Sequence, residues 1–198
     1  MPVIGITGGI ATGKSALSSA VRDLSPGATF FDADQAARAL TESDSGVREE
    51  IAHEFGPAIF SGEGHLNRAA LRSIVFADPE KKRALEQILH PRIRRQWSIQ
   101  AESRREATDF FFADIPLLYE TGGETLCDCV VVVACSPNLQ KERLMRRSSI
   151  TPSAAEEMIS AQMPLARKMA QADRLVWNNG PLSLLAEQAK ILVSSWAR

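Results

Sequence analysis

The residues of this 198-residue chain best suited to chemistry stand near its start, in Gly8-Gly9-Ile10-Ala11-Thr12-Gly13-Lys14-Ser15, which matches G-x-x-x-x-G-K-[ST] at all four specified positions. Each residue type there answers a demand of a bound polyphosphate. Glycines at Gly8, Gly9 and Gly13 reach φ values closed to other residues and leave no Cβ in the way, so successive backbone N–H groups can turn inward on an anion. Lys14 brings a mobile point charge for the terminal phosphates, and the Ser15 hydroxyl suits Mg²⁺. A helix starting here adds unpaired N–H groups and the positive end of its dipole. The expected phosphate contacts are therefore Gly8, Gly9, Ala11, Thr12, Gly13, Lys14, Ser15 and Ala16.

Carboxylates closing short apolar runs form the second set. Residues 28–31 end at Asp32-Ala33-Asp34, and residues 110–113 end at Asp114. Acidic groups at the carboxyl end of a parallel strand face the crevice where open α/β sheets bind ligands. A helix follows Asp34, so capping accounts equally well for one of the pair. The strand-then-acid order at Asp114 fits a carboxylate that holds Mg²⁺ directly or through water. Gln140, Arg143 and Arg147 fall at spacings of three and four, on one helix face. Lys81, Lys82, Arg83, Arg92, Arg94, Arg95, Arg104 and Arg105 read as a solvated helix face, with a basic wall toward an anionic substrate as the competing idea.

These groups need a frame. Apolar runs at 3–6, 28–31, 110–113, 130–134 and 175–177 predict five strands buried in a parallel sheet. Helical spacing predicts helices over 16–24, 35–40, 47–55, 67–76, 79 to about 107, 152 to about 163 and 181–196, with another opened by Ser136-Pro137. His90-Pro91 lies inside the long one, where proline removes a donor, should kink the helix and leaves a carbonyl in need of another partner. Between 44 and 108 helices replace the strand-helix alternation. This predicts a core of residues 1–43 and 109–198, with a lid at about 146–166, and a helical substrate-binding insertion at 44–108.

Composition narrows the class. A formal charge of −1 argues against a broad nucleic-acid surface. Cys127, Cys129 and Cys135 cluster beside one apolar segment and read as reduced core residues. The start has no basic region followed by an apolar one, and no apolar run approaches the ~18 residues of a membrane helix, so a soluble cytoplasmic protein is expected.

The combination is an α/β fold of the P-loop NTPase type, a five-stranded parallel sheet flanked by helices with an insertion and a lid, which is the plan of a small-molecule kinase. The chain resembles the dephospho-CoA kinase family through T-G-G-I-A-T-G-K-S at 7–15, D-A-D-x-x-A-R at 32–38, H-P at 90–91, D-I-P-L-L-Y-E at 114–120, Q-x-x-R-x-x-x-R at 140–147, A-Q at 161–162 and A-D…N-N-G at 172–180. The resemblance spans nearly the whole chain in order. It implies transfer of the γ-phosphoryl of ATP, with Mg²⁺, to the ribose 3′-hydroxyl of dephospho-CoA. It implies Asp34 as general base, with Asp32 supporting it or Mg²⁺, Lys14, Arg143 and Arg147 on the phosphates, and Asn178 or Asn179 on the adenine side. Arg38, His90, Pro116 and Leu117 fall where substrate contacts are expected, and Ser15, Asp32 and Asp114 where the metal would be. Ala11 replaces a glycine usual in the family, an exchange that suits a negative φ. Met158 stands where many members have a basic residue. Another kinase of this fold, acting on a nucleotide, shikimate or gluconate, is the alternative. A guanine-nucleotide switch is disfavoured because no N-K-x-D motif occurs.

Overall fold

The computed structural model describes residues 2–62, 64–104 and 109–196. The elements are β1 (Val3–Gly8), α1 (Lys14–Leu24), β2 (Thr29–Asp32), α2 (Ala33–Ser43), α3 (Ser45–Phe55), α4 (Arg68–Ala77), α5 (Pro79–Ser103), β3 (Phe111–Asp114), β4 (Cys129–Ala134), α6 (Pro137–Ser148), α7 (Pro152–Ser160), α8 (Leu165–Gln171), β5 (Arg174–Trp177) and α9 (Leu182–Trp196). The strands form one sheet in the order β2-β3-β1-β4-β5. β1 pairs in parallel with β3 on one side and β4 on the other, and β4 pairs in parallel with β5. The chain thus leaves β1 toward one half of the sheet and later crosses to the other. That reversal opens a crevice at the carboxyl end of β1, where the glycine-rich loop lies.

The chain divides into two compact units, Met1–Phe31 with Ala101–Arg198, and Asp32–Gln100. In the first, every residue of β1 and β3 is buried, as continuous apolar strands covered on both faces should be. Ile4, Ile6, Phe112, Val131, Val133 and Val176 share a core with Leu17 and Val21 of α1 and Leu185, Ala189 and Leu192 of α9. Full burial of a side chain such as Leu17 contributes about 1.5–3 kcal/mol. Two carboxylates tie strand starts: Asp128 accepts from Val3 N (2.7 Å) and Asp173 from Val130 N (2.7 Å). At the β5 edge, Gln188 of α9 accepts from Trp177 N (3.1 Å) and donates to Trp177 O (3.2 Å).

The second unit has its own core of Leu40, Val47, Ile51, Ile59, Leu71 and Ile88. Its helices begin on side-chain caps, Asp44 for α3 and Asn67 for α4. α5 continues through Pro91, and Arg92 Nη1 donates to Ile88 O (2.7 Å) beside the position where proline brings no N–H.

All five expected strands are present, each within two residues of its expected limits. The helix expected to reach Met163 stops at Ser160, and a separate helix, α8, follows from Leu165. Pro164 stands at the N-cap of α8, where its missing donor cannot extend the helix before it. The expected end of the long helix near Ala107, with Arg105, lies outside the described residues.

Candidate active site

Side chains seize the carbonyl groups of the glycine-rich loop in alternation. Lys168 Nζ donates to Gly8 O (3.4 Å), Gln140 Nε2 to Ile10 O (2.9 Å) and Asn178 Nδ2 to Thr12 O (2.9 Å). In a planar trans peptide the following N–H points opposite to the C=O. The three contacts therefore turn the N–H groups of Gly9, Ala11 and Gly13 away from these donors. The intervening Ile10 N–H donates to Gln162 Oε1 (2.9 Å), and Gly9 O accepts from the amide (3.3 Å) and hydroxyl (2.8 Å) of Thr12. A loop with alternate N–H groups fixed in this way is built to receive an anion.

The glycines have different reasons. Gly13 takes φ 101°, and a Cβ there would also run into Asn178. Gly8 and Gly9 do not have positive φ, so they are glycines for space: a Cβ on Gly8 would stand 2.5 Å from Val133 O, and one on Gly9 2.6 Å from Gln140 Nε2. Ala11 overturns the expectation of a negative φ, for it sits at φ 60°. An L-residue in the left-handed region costs roughly 1–2 kcal/mol, and the bonds to Ile10 on its amino side and Thr12 on its carboxyl side hold it there.

Lys14, the first residue of α1, forms an ion pair with Asp114 Oδ1, and Ser18 Oγ one turn later donates to Asp114 Oδ2 (2.5 Å). Asp114 is only 8% exposed, so its charge is met from both oxygens. Ser15 is exposed. Thr7 donates to Pro116 O (3.1 Å), linking β1 to the turn after β3, and Leu117 O accepts from Thr121 (2.9 Å) in that turn.

Asp32 caps α2: its Oδ1 accepts from the amides of Asp34 (2.9 Å) and Gln35 (3.0 Å). That settles the capping question in favour of Asp32 and leaves Asp34 exposed in the first turn. Arg38 is exposed on α2. Burial holds the His90 imidazole below its ordinary pKa, with Glu86 pulling the other way. Much of the basic run is paired within its own unit: Lys81 with Glu54 (2.8 Å), Arg92 with Glu50 (2.6 Å), Lys82 with Glu86 (3.9 Å) and Arg83 with Glu80. These four belong to a solvated, internally neutralised face rather than a wall of free cations.

Arg143 donates to Asn178 O (2.9 Å), while Arg147 is exposed farther along α6. Asn179 Oδ1 accepts from Ser136 N (2.8 Å) and so holds the start of α6. Burial pushes the Cys127 thiol up to about 12, helped by Asp128 and Glu124, and raises Cys129 and Cys135 as well. All three are free thiols that stay protonated, which suits packing rather than nucleophilic chemistry.

Sequence reasoning missed Ser18 and above all Lys168 as parts of this site, and it named Gln162 only within the A-Q motif, without a role. The signal for Lys168 was its phase, one turn from Leu165 and beside Met169, on the stripe that α8 buries.

A family model described as Dephospho-CoA kinase matches residues 2–183. A dephospho-CoA kinase of Symbiobacterium thermophilum is 43% identical over 191 residues, covering 96% of this chain and 79% of its own length. One of Anaeromyxobacter dehalogenans is 43% identical over 197 residues, covering 98% and 92%. Among solved structures, a Thermus thermophilus protein superposes with TM-score 0.77 at 32% identity, covering 98% of this chain and 97% of that one. Dephospho-CoA kinase from Campylobacter jejuni does so with TM-score 0.73 at 25% identity, covering 97% and 95%.

Proposed function

The chain belongs to the dephospho-CoA kinase family, and from that premise we propose the parts its own residues play. It phosphorylates dephospho-CoA with ATP, a step of coenzyme A biosynthesis. The observation that carries the reading is the loop of residues 8–15, with its carbonyls clamped and Lys14 at the crevice edge of β1. The acceptor atom is the ribose 3′-hydroxyl.

Lys14 exchanges its Asp114 partner for the β- and γ-phosphate oxygens, while the N–H groups of Gly9, Ala11 and Gly13 and the first turn of α1 receive the rest of the polyphosphate. The donor set fits Mg²⁺. Ser15 and Asp114 offer hard oxygens, and among the described residues no group of three or more His, Cys, Asp or Glu side chains forms a dedicated metal cage. That suits an ion carried largely by phosphate and water oxygens. Ser15 and Asp114 would hold it, rather than Asp32, whose Oδ1 is committed to capping α2. When bound, the ion neutralises charge on the phosphoryl oxygens.

Asp34 accepts the proton of the attacking hydroxyl. A ribose hydroxyl is too weak an acid to ionise at neutral pH, so the transfer accompanies bond formation to phosphorus. Arg143 and Arg147 serve the phosphates from the lid at about 146–166 and the helix before it. Asn178 and Asn179 border the adenine, and Arg38, His90, Pro116 and Leu117 meet dephospho-CoA. The cytoplasm is the compartment that fits three free thiols. No helix among the described residues is long and apolar enough to cross a membrane.

The test measures ADP release with ATP and Mg²⁺ against dephospho-CoA, nucleoside monophosphates and shikimate, with the phosphorylated position read by phosphorus NMR. Turnover on dephospho-CoA with a new 3′-phosphomonoester is expected. ADP release with a nucleoside monophosphate and none with dephospho-CoA would sink the reading.

A further inference from the structure

Lys168 is a fully buried ammonium, 0% exposed, in a helix that sequence reasoning did not foresee. An ammonium has three donors and no acceptor. Here it meets three oxygens, Gly8 O at 3.4 Å, Pro116 O at 3.0 Å and Glu120 Oε1 at 2.8 Å. Its capacity is filled by groups drawn from the start of the phosphate loop and from the turn after β3. Glu120 Oε1 also accepts from Met163 N (2.9 Å), and the adjacent Gln162 holds Ile10 N. Residues 162–168 are thereby fastened to the loop at two points, Gly8 through Lys168 and Ile10 through Gln162.

We propose that Lys168 is a positioning residue for nucleotide binding: by holding Gly8 O it fixes the Gly8–Gly9 peptide plane, and so aims the Gly9 N–H at the bound phosphates. The chemistry follows from peptide planarity, since an N–H cannot turn without its C=O. Gly8 has no side chain with which to fix that plane, and adding one is blocked by Val133 O. An external donor must therefore do it, and a buried lysine does so without competing for the anion. The three donors of Lys168 are all taken by protein oxygens, which separates its part from that of Lys14. The inference rests on the nucleotide-binding half of the proposed function.

The single variant Lys168→Met would also remove the cation beside the Glu120 carboxylate, so its effect would not isolate the bond to Gly8. The informative comparison is therefore Glu120→Gln, which keeps the bond from Lys168 to Gly8, against the double variant Lys168→Met/Glu120→Gln, which removes that bond on a background where the Glu120 charge is already gone. ADP affinity by titration calorimetry is the readout, with KM for ATP and for dephospho-CoA measured in parallel and folding checked by circular dichroism. One misdirected charge-assisted bond should weaken ADP binding, and raise KM for ATP, about 10-fold in the double variant relative to Glu120→Gln, with KM for dephospho-CoA unchanged. Equal ADP affinity in the two folded variants overturns the proposal and leaves the activity standing. Weaker ADP affinity upholds it even if dephospho-CoA proves not to be the acceptor.

Discussion

The surroundings of the phosphate loop and the helical unit Asp32–Gln100 handle charge in opposite ways. Around the loop, polar side chains are buried and spent on backbone: Gln140, Asn178 and Lys168 are at most 4% exposed, and each clamps a loop carbonyl. In the helical unit, charges meet one another half in water, as in Arg92 with Glu50, whose side chains are 33% and 48% exposed. Buried groups left without partners cost far more than solvated ones. The loop is consequently stiff and sensitive to single changes, and the helical unit tolerant. An anion cradle gains from being set before the ligand arrives.

That contrast can be broken by graded substitutions. Lys14→Ala should abolish measurable turnover while the far-ultraviolet circular dichroism stays that of the folded chain; a folded variant with ordinary rates would remove the loop from the mechanism. Asp34→Asn should lower kcat by ~10²–10⁴-fold, the range of general-base loss, with ADP affinity unchanged by calorimetry. Near-full activity there would take the base away from Asp34. Asn178→Ala leaves Thr12 O without its donor, and urea unfolding should report a loss of about 1–3 kcal/mol.

Ala11→Gly acts in the other direction. Relief of about 1–2 kcal/mol of left-handed strain, set against roughly 0.4–1 kcal/mol of added chain entropy, predicts a gain of up to about 1.6 kcal/mol. Each kcal/mol of that gain corresponds to a Tm rise of about 2–4 °C by calorimetry, and a fall would contradict the φ of 60° at Ala11. The smallest effect belongs to the helical unit. A double-mutant cycle on Arg92 and Glu50 should return a coupling of about 0.2–1 kcal/mol, and a larger value would erase the contrast between the two regions.

What could be read from the sequence divides along the range of the interactions. Strands and most helices were legible because apolar period and cap residues are local, as at Thr151-Pro152, which opens α7. The phosphate loop was legible as a motif. Which aspartate caps α2 was not, since Asp32 and Asp34 satisfy the same pattern and only backbone geometry assigns the bonds to Asp32. Nor could the sign of φ at Ala11 be read, because Gln140, Gln162 and Asn178, which hold the peptides around it, lie more than a hundred residues away. Lys168 stands beside Arg167 with nothing but helical phase in the local sequence to set the two cations apart. Its meaning depends on Gly8 and Pro116, 160 and 52 residues distant.

The side chain of Gln188 has a consequence outside catalysis. β5 is an outer strand of the sheet, and its exposed Leu175 and Trp177 make it the kind of border on which a foreign strand can extend the hydrogen-bond ladder. By occupying both the N–H and the C=O of Trp177, Gln188 closes that border at its last residue from within the same molecule. The rung at Trp177, beside an exposed apolar side chain, is thereby denied to an incoming strand.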